Sequence, residues 1–160
     1  RREYECQNEK KNKNYTSINF PLLRYSDVLL MVAESENEVN GTPTTLAYQC
    51  LNAVRTRAGV DAYAEGSLSK DAFRQAVKDE RAMELCFEYT RRFDLIRWGE
   101  YIKNMNELAP LAQQGDGSNW NGGDKYSVWT YFQISDAYNY FPIPDSEISV
   151  NKKITQNPGW

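Results

Sequence analysis

The chain has 160 residues, of which 41% are hydrophobic and 26% are charged, and its formal net charge is −3. A chain of this length can bury a sizeable core as one domain, and its balanced charges lack the dense positive surface that nucleic-acid binding needs. Histidine is absent, which excludes Ser-His-Asp and Cys-His catalysis and histidine zinc sites.

The cysteines and the apolar runs indicate neither a disulfide-rich fold nor a membrane-spanning helix. Cys6, Cys50 and Cys86 are too few for a disulfide framework and form no C-x-x-C pair, so we expect Cys50 and Cys86 to be small buried hydrophobic residues. No stretch approaches the ~20 apolar residues of a membrane span. The N-terminus has no signal-peptide pattern, so we expect the chain to begin inside a longer protein.

Apolar residues recur at helical spacing through the first part of the chain. This spacing predicts a helix over Leu22–Val39, with Gly41 in the position of a C-cap. Thr42 and Pro43 predict the start of a second helix, which Gly59 would close. Two helices joined by so few residues are expected to form an antiparallel αα-hairpin.

Two further helices are predicted before the composition changes. Ser69 can cap a third helix that continues to about Tyr89, and a fourth apolar stripe from Phe93 to Leu108 would end before Pro110. The apolar stripe of the third helix consists of Phe73, Ala76, Val77, Met83 and Phe87. The fold class predicted from this pattern is therefore mainly α.

Turn-forming residues and aromatic residues dominate the chain after Pro110. Residues 115–123 predict a long loop, and the alternation over residues 126–132 allows a short strand. Phe141–Pro144 must be extended because each proline restricts its own φ and the conformation of its predecessor. We expect residues 1–19 to be a polar lead-in and residues 20–160 to form one helical domain with a loop-rich tail.

Acidic and basic side chains interleave along the third predicted helix and just after it. Glycoside hydrolysis needs a carboxyl group that stays protonated near neutral pH. Glu80 and Glu84 lie beside Arg81, and Glu88 stands four residues before Arg92, so these carboxyl groups are expected to stay ionised. We therefore predict a structural ion-pair network, without a catalytic pair, that aromatic side chains partly bury. These aromatic residues are Phe87, Phe93 and Trp98.

The loop-rich segment carries the candidate ligand-binding residues. Trp120 has only Asn and Gly around it, and an exposed ring on a loop can stack on the face of a sugar. The candidates are Asn119, Trp120, Asn121, Tyr126 and Trp129. An alternative is that the aromatic residues of this segment pack over the helices with their hydroxyls exposed.

Calcium is the one metal for which the same loop offers ligands. The oxygen-bearing side chains are Asp116, Asn119, Asn121 and Asp124. The alternate ligands and terminal Glu of an EF-hand loop are absent, so we predict no metal site and no cofactor.

Several segments form motifs in a fixed order along the chain: Phe20–Met31 with Ala33 and Glu34, Leu51–Gly59, Asp79–Arg81 with Glu84 and Leu85, Arg92–Gly99, Phe141–Pro144 with Glu147, and Gln156–Gly159. Taken together, these segments resemble the C-terminal part of the SusD/RagB family of outer-membrane nutrient-binding lipoproteins from Bacteroidetes-type bacteria. Two departures are visible. Ala82 stands where the family usually repeats Arg, and Tyr89 and Thr90 replace the usual Gly before the Arg-Phe-Asp segment.

The resemblance implies a SusD-like helical bundle of tetratricopeptide-like helix pairs overlaid by long irregular loops. It implies a non-catalytic protein at the cell surface that binds oligosaccharides, or in the RagB branch peptides. The ligand would pass to a SusC-like TonB-dependent transporter, and a lipid on an N-terminal Cys would hold the protein at the outer membrane. The motif residues are expected to be scaffold. These are Arg24, Glu80, Arg81, Arg92, Asp94 and Arg97.

Two other classes of function compete with this interpretation. A tetratricopeptide-like scaffold would bind partner proteins through a concave helical face, but it would need neither the aromatic loop nor the closing turn at Asn157–Gly159. A hydrolase would lack histidine and would have only salt-bridged carboxylates.

The loop hypothesis makes a prediction for Trp120→Ala. Glycan binding should weaken while the melting temperature stays nearly unchanged, because a loop tip makes few core contacts. Titration calorimetry and a thermal melt on the same variant check both values. A large loss of stability with intact binding would show instead that Trp120 caps the helical core.

Overall fold

The computed structural model describes residues 21–114 and 133–160. The chain divides into two compact units, Arg1–Cys86 and Phe87–Trp160. The first unit holds α1 (Tyr25–Asn40), α2 (Thr45–Arg57) and α3 (Lys70–Glu84). The second holds α4 (Arg91–Arg97), α5 (Tyr101–Gln114), a 3₁₀ helix (Asp136–Asn139) and α6 (Asp145–Val150). The described residues include no strand, and the mainly α prediction is confirmed.

The core of the first unit lies between α1, α2 and α3. Its largest fully buried apolar side chains are Leu30, Leu51, Val54, Phe73 and Val77. Burial of side chains of this size supplies roughly 1.5–3 kcal/mol each and is the main force that holds the three helices together.

Two side chains of α2 fix the long connection between α2 and α3. The Tyr48 ring packs edge-on against Phe73 with ring centroids 5.0 Å apart, and its hydroxyl accepts a hydrogen bond of 2.9 Å from the Leu68 amide. The Asn52 side chain bonds both backbone groups of Tyr63, each at 2.8 Å. The connection is therefore held to α2 by side chains that satisfy its backbone groups.

The helix boundaries follow most of the predicted signals. Gly41 ends α1 in the left-handed region at φ 73°, and the Ser69 side chain accepts from the Ala72 amide as the predicted N-cap of α3. The predicted start of α2 at Pro43 is wrong. Thr44 is the N-cap instead, because its hydroxyl accepts a 3.1 Å bond from the Ala47 amide.

The predicted end of α3 near Tyr89 is also wrong. The helix stops at Glu84, and Phe87 already lies in the left-handed region with φ 65°. Met83 lies inside α3 but is exposed, and Phe87 is exposed because it lies beyond the end of the helix, so neither continues the buried stripe. Cys86 is exposed for the same reason, whereas Cys50 is buried as predicted.

The single predicted fourth helix is two helices, α4 and α5. Gly99 interrupts the apolar stripe at φ 71°, and its amide and that of Glu100 bond back to the carbonyls of Ile96 and Leu95. These two bonds satisfy the free carbonyls at the end of α4. The expected stop before Pro110 is wrong, since Pro110 lies inside α5.

The predicted polar lead-in at residues 1–19, the loop at 115–123 and the possible strand at 126–132 lie outside the described residues. Phe141–Pro144 belongs to neither a helix nor a strand, and its end at Pro144 has φ −54° and ψ 136°, as the extended prediction requires.

The turn before α4 holds bulky residues in an unfavourable backbone conformation. Tyr89 has φ 63°, and its side chain is 79% exposed. A left-handed conformation costs a non-glycine residue about 1–2 kcal/mol. Tyr89 and Thr90 replace the Gly that the resembling family usually carries before its Arg-Phe-Asp segment, so this departure falls in the turn with the left-handed backbone.

We predict that Tyr89→Gly raises the free energy of unfolding by about 0.5–1 kcal/mol, since glycine removes the strain but adds entropy to the unfolded chain. Thr90→Gly is the matched control, because Thr90 has φ −81° and glycine relieves nothing there. Chemical denaturation of both variants measures the difference. Equal effects of the two substitutions would show that Tyr89 is not strained.

Candidate functional site

The loop residues predicted to bind ligand lie outside the described residues. They are Asn119, Trp120, Asn121, Tyr126 and Trp129, and their role stays a prediction. The described part of the chain contains three other features that bear on function. These are the charged face of α3, a cleft between α1 and α2, and a hydrogen-bonded C-terminal segment.

The charged face of α3 consists of Glu80, Arg81 and Glu84. The Arg81 Nη1 atom donates to Asp27 Oδ1 of α1 at 2.7 Å, and the two side chains are only 4% and 8% exposed. Arg55 of α2 donates from Nη1 to Glu80 Oε2 at 2.9 Å. Each of these ion pairs joins α3 to a different helix.

Glu84 connects α3 to both of its neighbours. Arg24, the N-cap residue of α1, donates to Glu84 Oε1 at 3.0 Å and to the Glu84 backbone carbonyl at 2.9 Å. Arg57, at the end of α2, donates to the second carboxylate oxygen of Glu84. The carboxyl groups of this face therefore bind guanidinium groups on other helices, as expected of a structural network.

Two details of the predicted network are wrong. Phe87 and Phe93 are exposed and do not bury it. Arg92 meets no carboxylate in the described residues. Its guanidinium carbon lies 4.1 Å from the centroid of the Phe141 ring, and Nη2 donates to the Tyr138 carbonyl at 2.8 Å. The prediction assumed that Glu88 and Arg92 lie one turn apart on a continuous helix. The helix is interrupted between Glu84 and Arg91, so the four-residue spacing does not bring these two side chains together.

A second cluster of charges joins the C-terminal end of α1 to the N-terminal end of α3. Arg74 donates to both carboxylate oxygens of Glu38, at 2.6 and 2.7 Å, and this hydrogen bonding lowers the pKa of Glu38 from 4.5 to about 2. Lys70 lies 3.5 Å from the same carboxylate. The cluster stabilises the fold fully above pH 4.5 and loses that contribution as the pH falls toward 2, but its exposure keeps the contribution small.

The C-terminal segment is bound to the residues around Phe141 by side chains of its closing motif. Gln156 bonds both backbone groups of Ile143, at 2.8 and 3.0 Å, and Asn157 Nδ2 donates to the Phe141 carbonyl at 2.7 Å. Trp160 Nε1 donates to the Ala137 carbonyl at 3.1 Å. The Phe141–Pro144 and Gln156–Gly159 motifs are thus joined into one hydrogen-bonded unit.

Gly159 is required in this unit for two reasons. Its φ is 89°, and a Cβ atom there would lie 2.6 Å from the Ala137 Cβ atom. Both values explain why the closing turn carries glycine, and they make the turn part of the scaffold.

The cleft lies between the start of α1 and the second half of α2 and has a volume of about 250 Å³. Its lining residues are Arg24, Tyr25, Ser26, Leu29, Ala53, Val54 and Arg57. Tyr25 lines the cleft and is 76% exposed. The Ser26 side chain is buried, and its Oγ atom has no hydrogen-bond partner among residues 21–114 and 133–160.

Sequence reasoning missed this cleft. Periodicity assigns a residue to a helix face, but it does not say whether the facing helix fills the space in front of that residue. The one available signal was the Arg-Tyr-Ser sequence at the start of α1, where polar groups precede the buried stripe.

The described residues contain neither a cluster of metal ligands nor a membrane-spanning helix. Across residues 21–114 and 133–160, no group of three or more Cys, Asp or Glu side chains is arranged to hold a metal ion. Over the same ranges, no helix combines the length and the apolar character needed to cross a bilayer.

Comparison with known proteins identifies the family. The model of the SusD family matches residues 3–160. The chain belongs to the SusD family. A crystal structure of a SusD homolog from Bacteroides thetaiotaomicron matches 99% of this chain and 30% of that protein's chain, with a TM-score of 0.81 and 36% sequence identity. The predicted SusD-like helical fold is therefore confirmed.

The curated relatives are much longer than this chain. SusD-like protein P25 of Formosa agariphila is 35% identical over 144 residues, which are 88% of this chain and 24% of that protein. The starch-binding protein SusD of Bacteroides thetaiotaomicron is 27% identical over 146 residues, or 91% of this chain and 22% of that protein. The chain spans about a quarter of the length of these SusD-family proteins.

The Glu84 contacts make a prediction for Glu84→Ala. The free energy of unfolding should fall by about 2 kcal/mol, because the variant removes the carboxylate that both Arg24 and Arg57 bind, while water can still solvate these partly exposed guanidinium groups. Asp71→Ala is the control, since its ion pair with Arg74 is exposed and should contribute less than about 1 kcal/mol. Urea denaturation compares them, and equal losses would contradict the structural role of Glu84.

Proposed function

We propose that this protein is a non-catalytic cell-surface binding protein that captures glycans or other nutrients for a TonB-dependent outer-membrane transporter. The ligand is an oligosaccharide or a peptide, and the transporter is SusC-like. A lipid anchor holds the protein at the surface of the outer membrane. Nucleic acid is not a partner, because the net charge of −3 offers no dense positive surface.

The observation that carries this proposal is the SusD-family match, which extends over residues 3–160. One relative in that family is named a starch-binding protein, which supports a carbohydrate as the ligand class. The matched segments include the charged face of α3 and the closing turn, both of which are scaffold. Family membership therefore supports the role of the protein more than it supports any particular ligand.

The chemistry of the described residues supports binding without catalysis. The carboxylates of Glu80 and Glu84 bind arginine side chains of other helices, so neither is placed as the free acid that glycoside hydrolysis needs. Burial raises the pKa of the Cys50 thiol, and Glu36 adds to the effect. A thiol in that environment stays protonated near neutral pH and is a poor nucleophile.

A tetratricopeptide-like scaffold for partner proteins is the second candidate. The packing of α1 and α2 as a helix pair against α3 favours it, because such pairs stack into protein-binding surfaces. Two features favour nutrient binding instead. The sequence predicts an aromatic loop, and the C-terminal segment is closed by side-chain hydrogen bonds that a helical repeat does not need.

Isothermal titration of the protein with a panel of soluble glycans and peptides tests the proposal. We expect saturable binding of at least one member, recovered chemically unchanged when the sample is chromatographed afterwards. Hydrolysis of the bound member would indicate an enzyme. Binding of a folded partner protein, with no glycan or peptide bound, would favour the scaffold.

A further inference from the structure

We infer that Asn40 is a site of spontaneous deamidation in which Gly41 supplies the attacking nitrogen. This modification site does not depend on the proposed function. Within residues 21–114 and 133–160, Asn40 is the one asparagine that a glycine follows, and both residues are exposed at the end of α1. Glycine has no Cβ atom to hinder the approach of its backbone nitrogen to the preceding side chain.

The reaction replaces one amide bond with another and ends in hydrolysis. The Gly41 backbone nitrogen gives its proton to a hydroxide ion and bonds to Asn40 Cγ. The Cγ–Nδ2 bond then breaks, and Nδ2 takes a proton from water and leaves as ammonia. Water opens the resulting succinimide at either of its carbonyl groups, which gives aspartate or isoaspartate. The sequence of steps needs no oxidant, reductant or cofactor, and its rate rises with pH because the nitrogen attacks in its deprotonated form.

The backbone at Gly41 has room for the rotation that this attack requires. Gly41 has φ 73°, so the chain already leaves the path of α1 there, and a Cβ atom built on Gly41 would meet nothing within 4 Å. Asn37 and Asn52 lie inside α1 and α2, where helical hydrogen bonding holds the backbone on both sides of them. The end of α1 is therefore the place where an asparagine side chain and the next backbone nitrogen can meet.

The contacts of Asn40 determine how freely its side chain moves. Nδ2 donates to the Glu36 carbonyl at 2.8 Å and to Glu36 Oε2 at 3.3 Å. Both hydrogen bonds lie at an exposed helix end, where local opening costs little free energy. The reaction should thus run in the folded protein at a rate close to that in a short peptide.

The product changes the charge at the connection between α1 and α2. A carboxylate at position 40 would stand four residues after Glu36 and at the negative end of the α1 dipole, and both placements are unfavourable. Glu36 Oε2 also accepts a hydrogen bond of 2.8 Å from Thr44 Oγ1, and Thr44 is the N-cap residue of α2. Deamidation would therefore add a negative charge beside a contact between the two helices.

Incubation of the protein at mildly alkaline pH, followed by peptide mapping with electron-transfer mass spectrometry, tests the inference. This fragmentation distinguishes aspartate from isoaspartate, and the map separates position 40 from the second Asn-Gly pair of the sequence, Asn121 and Gly122. A synthetic peptide of residues 36–45 gives the rate without the fold. We expect both products at position 40, with a rate within about tenfold of that of the peptide.

Two variants test the chemistry at this position. Asn40→Gln should stay unmodified over the same period, because its longer side chain would have to close a less favourable six-membered ring. Gly41→Ala should slow the reaction severalfold, since the added Cβ atom hinders the attacking nitrogen. The left-handed backbone at Gly41 disfavours alanine, so the same substitution in the peptide provides this comparison if the protein variant does not fold.

Three outcomes would overturn the inference. An unmodified position 40 after the peptide has fully converted would show that the fold and the contacts with Glu36 protect the amide. Aspartate without any isoaspartate would indicate direct hydrolysis by water instead of attack by Gly41. An unchanged rate after Gly41→Ala, in the protein or in the peptide, would exclude the Gly41 nitrogen as the group that glycine makes reactive.

Discussion

The ion pair between Arg81 and Asp27 is the contact on which the first unit depends. Both side chains are buried, so neither charge can return to water without opening the interface between α1 and α3. Removing one partner of such a pair costs roughly 3–5 kcal/mol, because the other charge remains buried and uncompensated. The pair therefore sets the position of α3 on α1 more narrowly than apolar packing alone.

The other charged residues on the same face of α3 form further ion pairs with the neighbouring helices. Glu80 reaches Arg55, and Glu84 reaches Arg24 and Arg57, so one helix face holds both neighbouring helices. The same arrangement places Arg24 and Arg57 beside the cleft between α1 and α2. Scaffold and candidate site are thus linked, since Glu84 fixes the guanidinium groups that line the cleft.

The sequence predicted features that are local along the chain. Gly41 and Ser69 act at helix ends within a few residues of their own positions, and both predictions were correct. The partners of Glu84 could not be predicted, because they come from residues 60 and 27 positions away. The break at Gly99 was missed because the apolar spacing continues through it, although glycine was the signal for a left-handed residue.

A double-mutant cycle on Asp27→Asn and Arg81→Met tests most directly that buried charge pairing holds this fold together. Each single variant should lose roughly 3 kcal/mol or more of unfolding free energy, and the double variant should lose clearly less than the sum of the two. Single losses below about 0.5 kcal/mol that simply add would contradict the account, because they would show that the two buried charges are not coupled.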